Sequence, residues 1–150
     1  MKIVRASAEH AVELTDIAYR AKRHWGYSEE WIQRWRDVLT ISPDFITREE
    51  TYCAVEENAA IGCHALIRAD TTLRLEHLWV LPRAMHRGIG RALFQHAMAR
   101  ARTLGFRRVE IESDPHAEAF YLRMGAERAG TSLSEVCGQK RELPFLTYFL

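Results

Sequence analysis

One stretch, RLEHLWVLPRAMHRGIGRALFQHAMARARTL at residues 74–104, constrains what this chain can fold into more than any other. It starts as an apolar strand, turns at Pro82 and passes through Gly88 and Gly90. It then continues as a helix with Ile89, Leu93, Ala97, Ala101 and Leu104 at helical spacing. Arg91, Gln95, Arg100 and Arg102 fall on the opposite face, and Gly105 supplies the stop. A loop that delivers glycines onto a helix N-terminus makes an anion pocket. The first backbone N–H groups have no helical partner, and the helix dipole adds partial positive charge. The stretch therefore predicts a strand–loop–helix unit that holds a phosphate-bearing ligand.

The flanking sequence supplies the rest of a sheet. A short strand is expected at residues 2–5. Ser7 then caps a helix carrying Ala11, Leu14, Ile17, Ala18 and Ala21, which fails near His24 to Gly26. Ser28 caps a second helix with Glu29 and Glu30 in its first turn and Trp31, Ile32, Trp35, Val38 and Leu39 on one stripe, ended by Ser42 and Pro43. Residues 51–56, 61–68 and 72–80 read as a three-strand meander, with 57–60 as its first turn. A strand at 108–113, a short helix from 116 to 124 ended by Gly125, and strands near 126–134 and 143–150 complete the order. The strand–helix–strand connection makes the strands ending at Val80 and Ser113 parallel and adjacent. The fold class is α+β, a mixed sheet with helices on both faces. With 150 residues and no linker or repeat, residues 1–150 are expected to form one domain.

Composition narrows the partners. Lys plus Arg number 21 against 20 Asp plus Glu, and Arg100, Arg102, Arg107 and Arg108 form only a short basic cluster, so neither nucleic acid nor a membrane is expected as partner. Cys53, Cys63 and Cys137 carry no C-x-x-C spacing, so no metal is expected. Without a signal-like or membrane-length apolar run, the expectation is a cytoplasmic protein.

Two common phosphate loops fail at defining positions. A dinucleotide fingerprint needs Gly or Ala where Leu93 stands, and a Walker loop needs Lys-Ser/Thr where Arg91 and Ala92 follow Gly90. What remains is Val80, Pro82, Arg87, Gly88, Ile89, Gly90, Ala92 and Leu93, followed by Ala117, Phe120, Tyr121 and Gly125. This pair of motifs resembles the GCN5-related N-acetyltransferases (GNAT), and the resemblance in element order spans nearly the whole chain. It implies a mostly antiparallel sheet of about seven strands with a central, splayed parallel pair, and acetyl-CoA as cosubstrate. By position, Leu78, Trp79 and Val80 would offer main-chain bonds to the pantetheine arm and thioester. Met85, His86, Arg87, Gly88, Ile89 and Gly90 would cradle the pyrophosphate, with Arg87 and Arg91 adding charge. Tyr121 matches the family's general acid. Met85 stands where the family usually has Gln or Arg, His86 where a glycine often follows, and Asp114, a cofactor contact, where the family often has Asn.

The implied reaction is direct attack of an amine on the thioester within a ternary complex, which needs a base and an acid. Glu76, on the strand before the loop, is the first choice for the base. Alternation puts it on the face of Leu78 and Val80, with His77 opposite. Glu110 and Glu112 read rather as solvated or ion-paired strand residues, and His77 equally as a core histidine or a proton relay. The acceptor, a small-molecule or protein amine, would meet Trp25 and Tyr27 at the break between the first two helices, while Trp31 and Trp35 read as core. The basic segment at 136–144 either closes over the site or is a solvated hairpin. FLTYFL at the C-terminus is expected at a sheet edge, where it could pair two copies into a homodimer. Two other functions are kept open: a catalytically silent CoA-binding sensor or partner module, and transfer of a longer acyl chain or to a hydroxyl.

Overall fold

Seven strands form one sheet in the order β1-β2-β3-β4-β5-β7-β6 in the computed structural model, which describes residues 1–150. The strands are β1 (Lys2–Arg5), β2 (Glu50–Glu56), β3 (Ala59–Ala69), β4 (Thr72–Val80), β5 (Arg108–Glu112), β6 (Glu127–Val136) and β7 (Gln139–Phe149). The helices are α1 (Ala11–His24), α2 (Glu29–Arg34), α3 (Arg36–Leu39), α4 (Pro43–Arg48), α5 (Ile89–Thr103) and α6 (Glu118–Arg123). Every neighbouring pair is antiparallel except β4 and β5, which are parallel as the crossover through α5 requires.

Helices cover both faces. Phe94, Ala97, Met98 and Ala101 of α5 pack on Leu66, Leu73, Leu75, Val109 and Ile111, with Tyr121 and Leu146 in the same cluster. On the other face Leu14, Ile17 and Ala18 of α1 join Leu39, Ile41 and Ile46 against Cys53 and Cys63. Each large side chain so buried contributes roughly 2 kcal/mol of transfer free energy.

Local chemistry explains where the elements differ from expectation. The second helix is two pieces, because α2 stops and α3 restarts at Trp35, leaving Val38 62% exposed rather than on the apolar stripe. Ser42 and Pro43 start a helix instead of ending one: the Ser42 hydroxyl accepts from Phe45 N–H at 3.0 Å, and Pro43 occupies the first turn of α4. The β2–β3 turn contracts to Glu57 and Asn58, both with positive φ (51° and 62°), as a two-residue hairpin demands. Cys137 and Gly138 do the same between β6 and β7 (48° and 78°), so the basic 136–144 segment is a tight hairpin tip and not a loop. FLTYFL is not at an edge either, because β7 lies between β5 and β6.

The central pair is what opens the sheet. β4 and β5 are in register only at Leu73–Val109 and Arg74–Glu110, after which they diverge. The register of β3 with β4 slips at the same height, where Ala65 faces His77 and Leu66 faces Leu75, so Glu76 is an inserted bulge residue. Beyond it β4 stays paired to β3 as far as Val80–Gly62. Gly62 is required there, since a Cβ would lie 2.8 Å from the Trp79 carbonyl oxygen and 2.9 Å from Leu93 Cδ1.

Candidate active site

The divergence of β4 and β5 forms one wall of a cleft of about 800 Å³. Along Leu78 to Val80 the β5-facing main chain has no strand partner, an arrangement that is costly unless water or a ligand supplies the missing bonds. At the top of β4, Pro82–Ala84 form a short 3-10 turn, and Met85, His86 and Gly88 bring the chain round to α5. His86 and Gly88 both take positive φ (63° and 81°). Ala92 is the first amide of α5 with a backward bond, to Gly88 O at 3.0 Å. The amides of Ile89, Gly90 and Arg91 therefore lack helical partners, and no acidic side chain sits in that first turn. These are the features an anion site needs.

Met85, His86, Gly88, Gly90 and Arg91 line the cleft, but two residues of the loop do not present their side chains to it. Arg87 turns to the β2–β3 end and pairs with Glu56 at 2.7 Å, so its charge is not at the expected phosphate position. Ile89 is 3% exposed and packs with Ala54, Ile61 and Leu93, leaving only its backbone available.

Tyr121 is packed in the core and still reaches the cleft. Its ring packs on Phe94 and Phe120 at 6.1 and 5.2 Å, and its hydroxyl has no protein partner yet is not sealed from the cleft. Burial, then the charge of Asp114, pushes the phenol above its ordinary range, so it stays protonated near neutrality.

Among the expected acid–base groups, Glu76 and Glu112 line the cleft. The bulge puts Leu75 and Leu78, three apart, on the same cluster; His77 packs on the opposite side against Phe45, as alternation from Leu78 and Val80 expects, and the Glu76 carboxyl senses Arg74 and Glu112. Burial raises its pKa, Arg74 opposes this and Glu112 adds to it. Glu112 reaches the site, accepting from the Ser132 hydroxyl at 2.7 Å, whereas Glu110 is only near Arg108 at 3.8 Å. His77 behaves as a core histidine. It is 4% exposed, pushed down to about 4 by burial, and its Nδ1 accepts from Trp79 Nε1 at 2.9 Å.

Asp114 is the largest departure from expectation. Its carboxylate accepts from Lys22 Nζ at 2.7 Å, from the Tyr27 hydroxyl at 2.9 Å, from His116 N–H at 2.9 Å and lies 2.8 Å from His116 Nδ1. Both oxygens are engaged within the protein, which leaves little for a pantetheine contact. Burial would raise its pKa, but the Lys22 charge and hydrogen bond, followed by His116, outweigh this and hold it at about 2. Tyr27 is correspondingly not in the cleft wall. It stands behind, bonded to Asp114, accepting from Arg141 Nη2 at 2.8 Å and packed against Trp31 and Trp35. Burial and then Asp114 raise its phenol to about 12. Trp25 does line the cleft, stacked on His116 with ring centroids 5.0 Å apart.

Lys22, His116 and Arg141 were not legible as site residues. They are 92 and 114 residues from their partners in two of these contacts, and single-residue periodicity carries no signal for such a meeting. Only the basic character of the 136–144 segment pointed towards Arg141.

A sheet opened between two parallel strands, with a glycine loop and helix N-terminus at the opening, makes a cleft suited to an extended, anion-bearing ligand. The profile of the acetyltransferase (GNAT) family matches residues 11–126, and the chain belongs to that family. Solved structures share the fold across the whole chain. A GCN5-related N-acetyltransferase from Rhodopseudomonas palustris has a TM-score of 0.83 at 16% identity, covering 99% of this chain and 95% of its own. The PaiA N-acetyltransferase from Thermoplasma acidophilum, solved in complex with coenzyme A, has a TM-score of 0.78 at 19% identity, covering 99% and 98%. A ribosomal-protein-alanine N-acetyltransferase from Brucella melitensis has a TM-score of 0.75 at 19% identity, covering 100% of both chains. No curated protein matches the sequence. No helix is long and apolar enough to cross a membrane.

Proposed function

We propose that this chain transfers an acetyl group from acetyl-CoA to an amine by direct attack within a ternary complex. The observation that carries the reading is the joint position of the Tyr121 hydroxyl, the free α5 amides and the unpaired β4 main chain on one cleft. The coenzyme A complex of the Thermoplasma relative, on the same fold, supports the choice of cosubstrate.

When bound, acetyl-CoA supplies an activated acetyl group as a thioester. The amides of Ile89, Gly90 and Arg91 would receive its pyrophosphate, with the Arg91 side chain close by. The main chain of Leu78 and Val80 would pair with the pantetheine arm as an added strand, while that of Trp79, between them, faces β3. Glu76, raised by burial, is suited to take the proton of the incoming ammonium. Tyr121, kept neutral, is suited to give a proton to the departing sulfur. One N–C bond forms as one C–S bond breaks: the ammonium gives one proton to Glu76 before attack, the second proton lost from nitrogen replaces the one Tyr121 gives to sulfur, and one proton is released overall.

The test has two arms. Acetyl-CoA at a hundred times its dissociation constant should stabilise the protein by about 2.7 kcal/mol. CoA should be released with an amine acceptor, and Tyr121→Phe should lower turnover by about a hundredfold while keeping the thermal shift. The absence of any thermal shift would refute the cofactor assignment. Stabilisation without CoA release on any amine would favour the silent CoA-binding module instead.

A further inference from the structure

The acceptor side of the cleft carries charges that the protein itself does not pair. Glu76 and Glu112 line it without a cation in ion-pair range, and the one hydrogen bond between them comes from the Ser132 hydroxyl. Arg141 lines it too. The nearby Asp114 carboxylate is taken up by Lys22 at 2.7 Å, the Tyr27 hydroxyl and His116, and the Arg141 guanidinium has no carboxylate within 4 Å. Both carboxylates are exposed to the cleft, with Arg74 acting on Glu76 from beyond ion-pair range, and Arg141 is half-buried, so each is open to a ligand's counter-charge.

Arg141 is also held ready. Its guanidinium carbon lies 5.1, 5.6 and 5.1 Å from the ring centroids of Tyr27, Trp31 and Trp35, and one Nη2 donates to the Tyr27 hydroxyl. Three aromatic faces and one hydrogen bond fix the fork while its other N–H donors remain for a ligand. This is the pre-organisation that suits a planar oxyanion. Glu112 faces Phe145 across the β5–β7 ladder, and Arg141 stands four residues further along β7, about 13 Å of strand. The two side chains cover part of that distance, and the rest calls for a spacer between the ligand's charges.

We infer that the acceptor is an amine carrying a carboxylate at its far end. Its ammonium lies towards Glu76 and Glu112, its carboxylate on Arg141, and Trp25 and Trp35 lie alongside the spacer. The inference rests on the acetyl-transfer reading and names the acceptor class of that same site.

CoA release should be compared for glycine, γ-aminobutyrate and ε-aminohexanoate against the carboxamide of each, with wild-type protein, Arg141→Gln and Arg141→Lys. In wild type the longer acids should exceed their amides at least about tenfold in kcat/KM. The preference should collapse in Arg141→Gln and survive in part in Arg141→Lys, which keeps the charge but not the fork. Equal rates for acid and amide in wild type, or a preference that survives Arg141→Gln, would overturn the inference. So would turnover with neither series when acetyl-CoA still raises Tm, a result that leaves cofactor binding intact. Failure of acetyl-CoA to raise Tm refutes the underlying reading instead. The wild-type comparison stands even if Arg141→Gln folds poorly, with Arg141→Lys as the milder variant.

Discussion

Asp114 ties Lys22, Tyr27 and His116 to one carboxylate, and its side chain is 11% exposed. The resemblance puts Asn there, yet Asp114→Asn should destabilise the fold by about 3 kcal/mol, because it leaves the Lys22 ammonium buried without a counter-charge. The sign with pH follows from the depressed value, about 2 against an ordinary 3.8. The carboxylate's contribution is present above the ordinary value and is lost as pH falls towards 2. Urea titrations at neutral and acid pH should find the variant less stable at neutrality and lacking this acid step. Adding Lys22→Met should restore part of the loss. His86 illustrates the other side of a departure from the family motif. The position takes φ of 63°, where glycine is unstrained and histidine costs on the order of 1 kcal/mol, so the preference for glycine is conformational. The identity of these residues could be read from the sequence. The convergence of Lys22, Tyr27, Asp114 and Arg141 could not, because the contacts join segments without any shared local pattern.

At the level of elements, apolar periodicity carried α1, α5 and the meander, since each buries one stripe or face against one partner. It failed where a single residue changes the geometry. The Glu76 bulge inserts one position into β4 and reverses the parity of everything after it, and no residue type announces a bulge. α4 carries no separate signal in the sequence, because a Ser-Pro pair can equally end one helix or start the next. The close seating of β3 on β4 and α5 gives an element-level prediction. Gly62→Ala puts a Cβ against the Trp79 carbonyl and Leu93, and should cost about 2 kcal/mol by denaturant titration. Because the displaced atom belongs to Trp79, the same variant should weaken the acetyl-CoA thermal shift. An unchanged shift together with unchanged stability would show that β4 yields freely.

For the molecule as a whole, two buried histidines set the acid limit. His64 is pushed down to about 3 by burial, then by His96 and Arg100, and His77 to about 4 by burial, both from an ordinary 6.5. The unfolded chain binds these protons first, so stability is full above 6.5 and falls as pH drops towards the folded values. About 2 kcal/mol should be lost over the first pH unit below 6.5, measurable as a fall in the urea midpoint. Constant stability across that unit would mean that neither histidine stays neutral in the native state. Sequence reasoning captured the overall architecture because one strand–loop–helix unit with a downstream tyrosine helix dictates the crossover and the parallel pair. The chemistry of the proposed acceptor side escaped it, being assembled from α1, β4, β5 and β7 at once.

The two residue pairs that join β4 to β5 make the middle of the sheet a seam. On one side lie β1 to β4, on the other β5 to β7, and between them a row of unsatisfied main-chain groups runs open for the length of the cleft. A ligand strand laid in that row acts as a stitch, sharing load across a joint that the polypeptide leaves nearly undone. Hydrogen exchange at the amides of Leu78 and Val80, which alternate with the β3-facing Trp79, should slow on adding acetyl-CoA, and the two sides should resist denaturant as one unit more sharply with the stitch in place than without it.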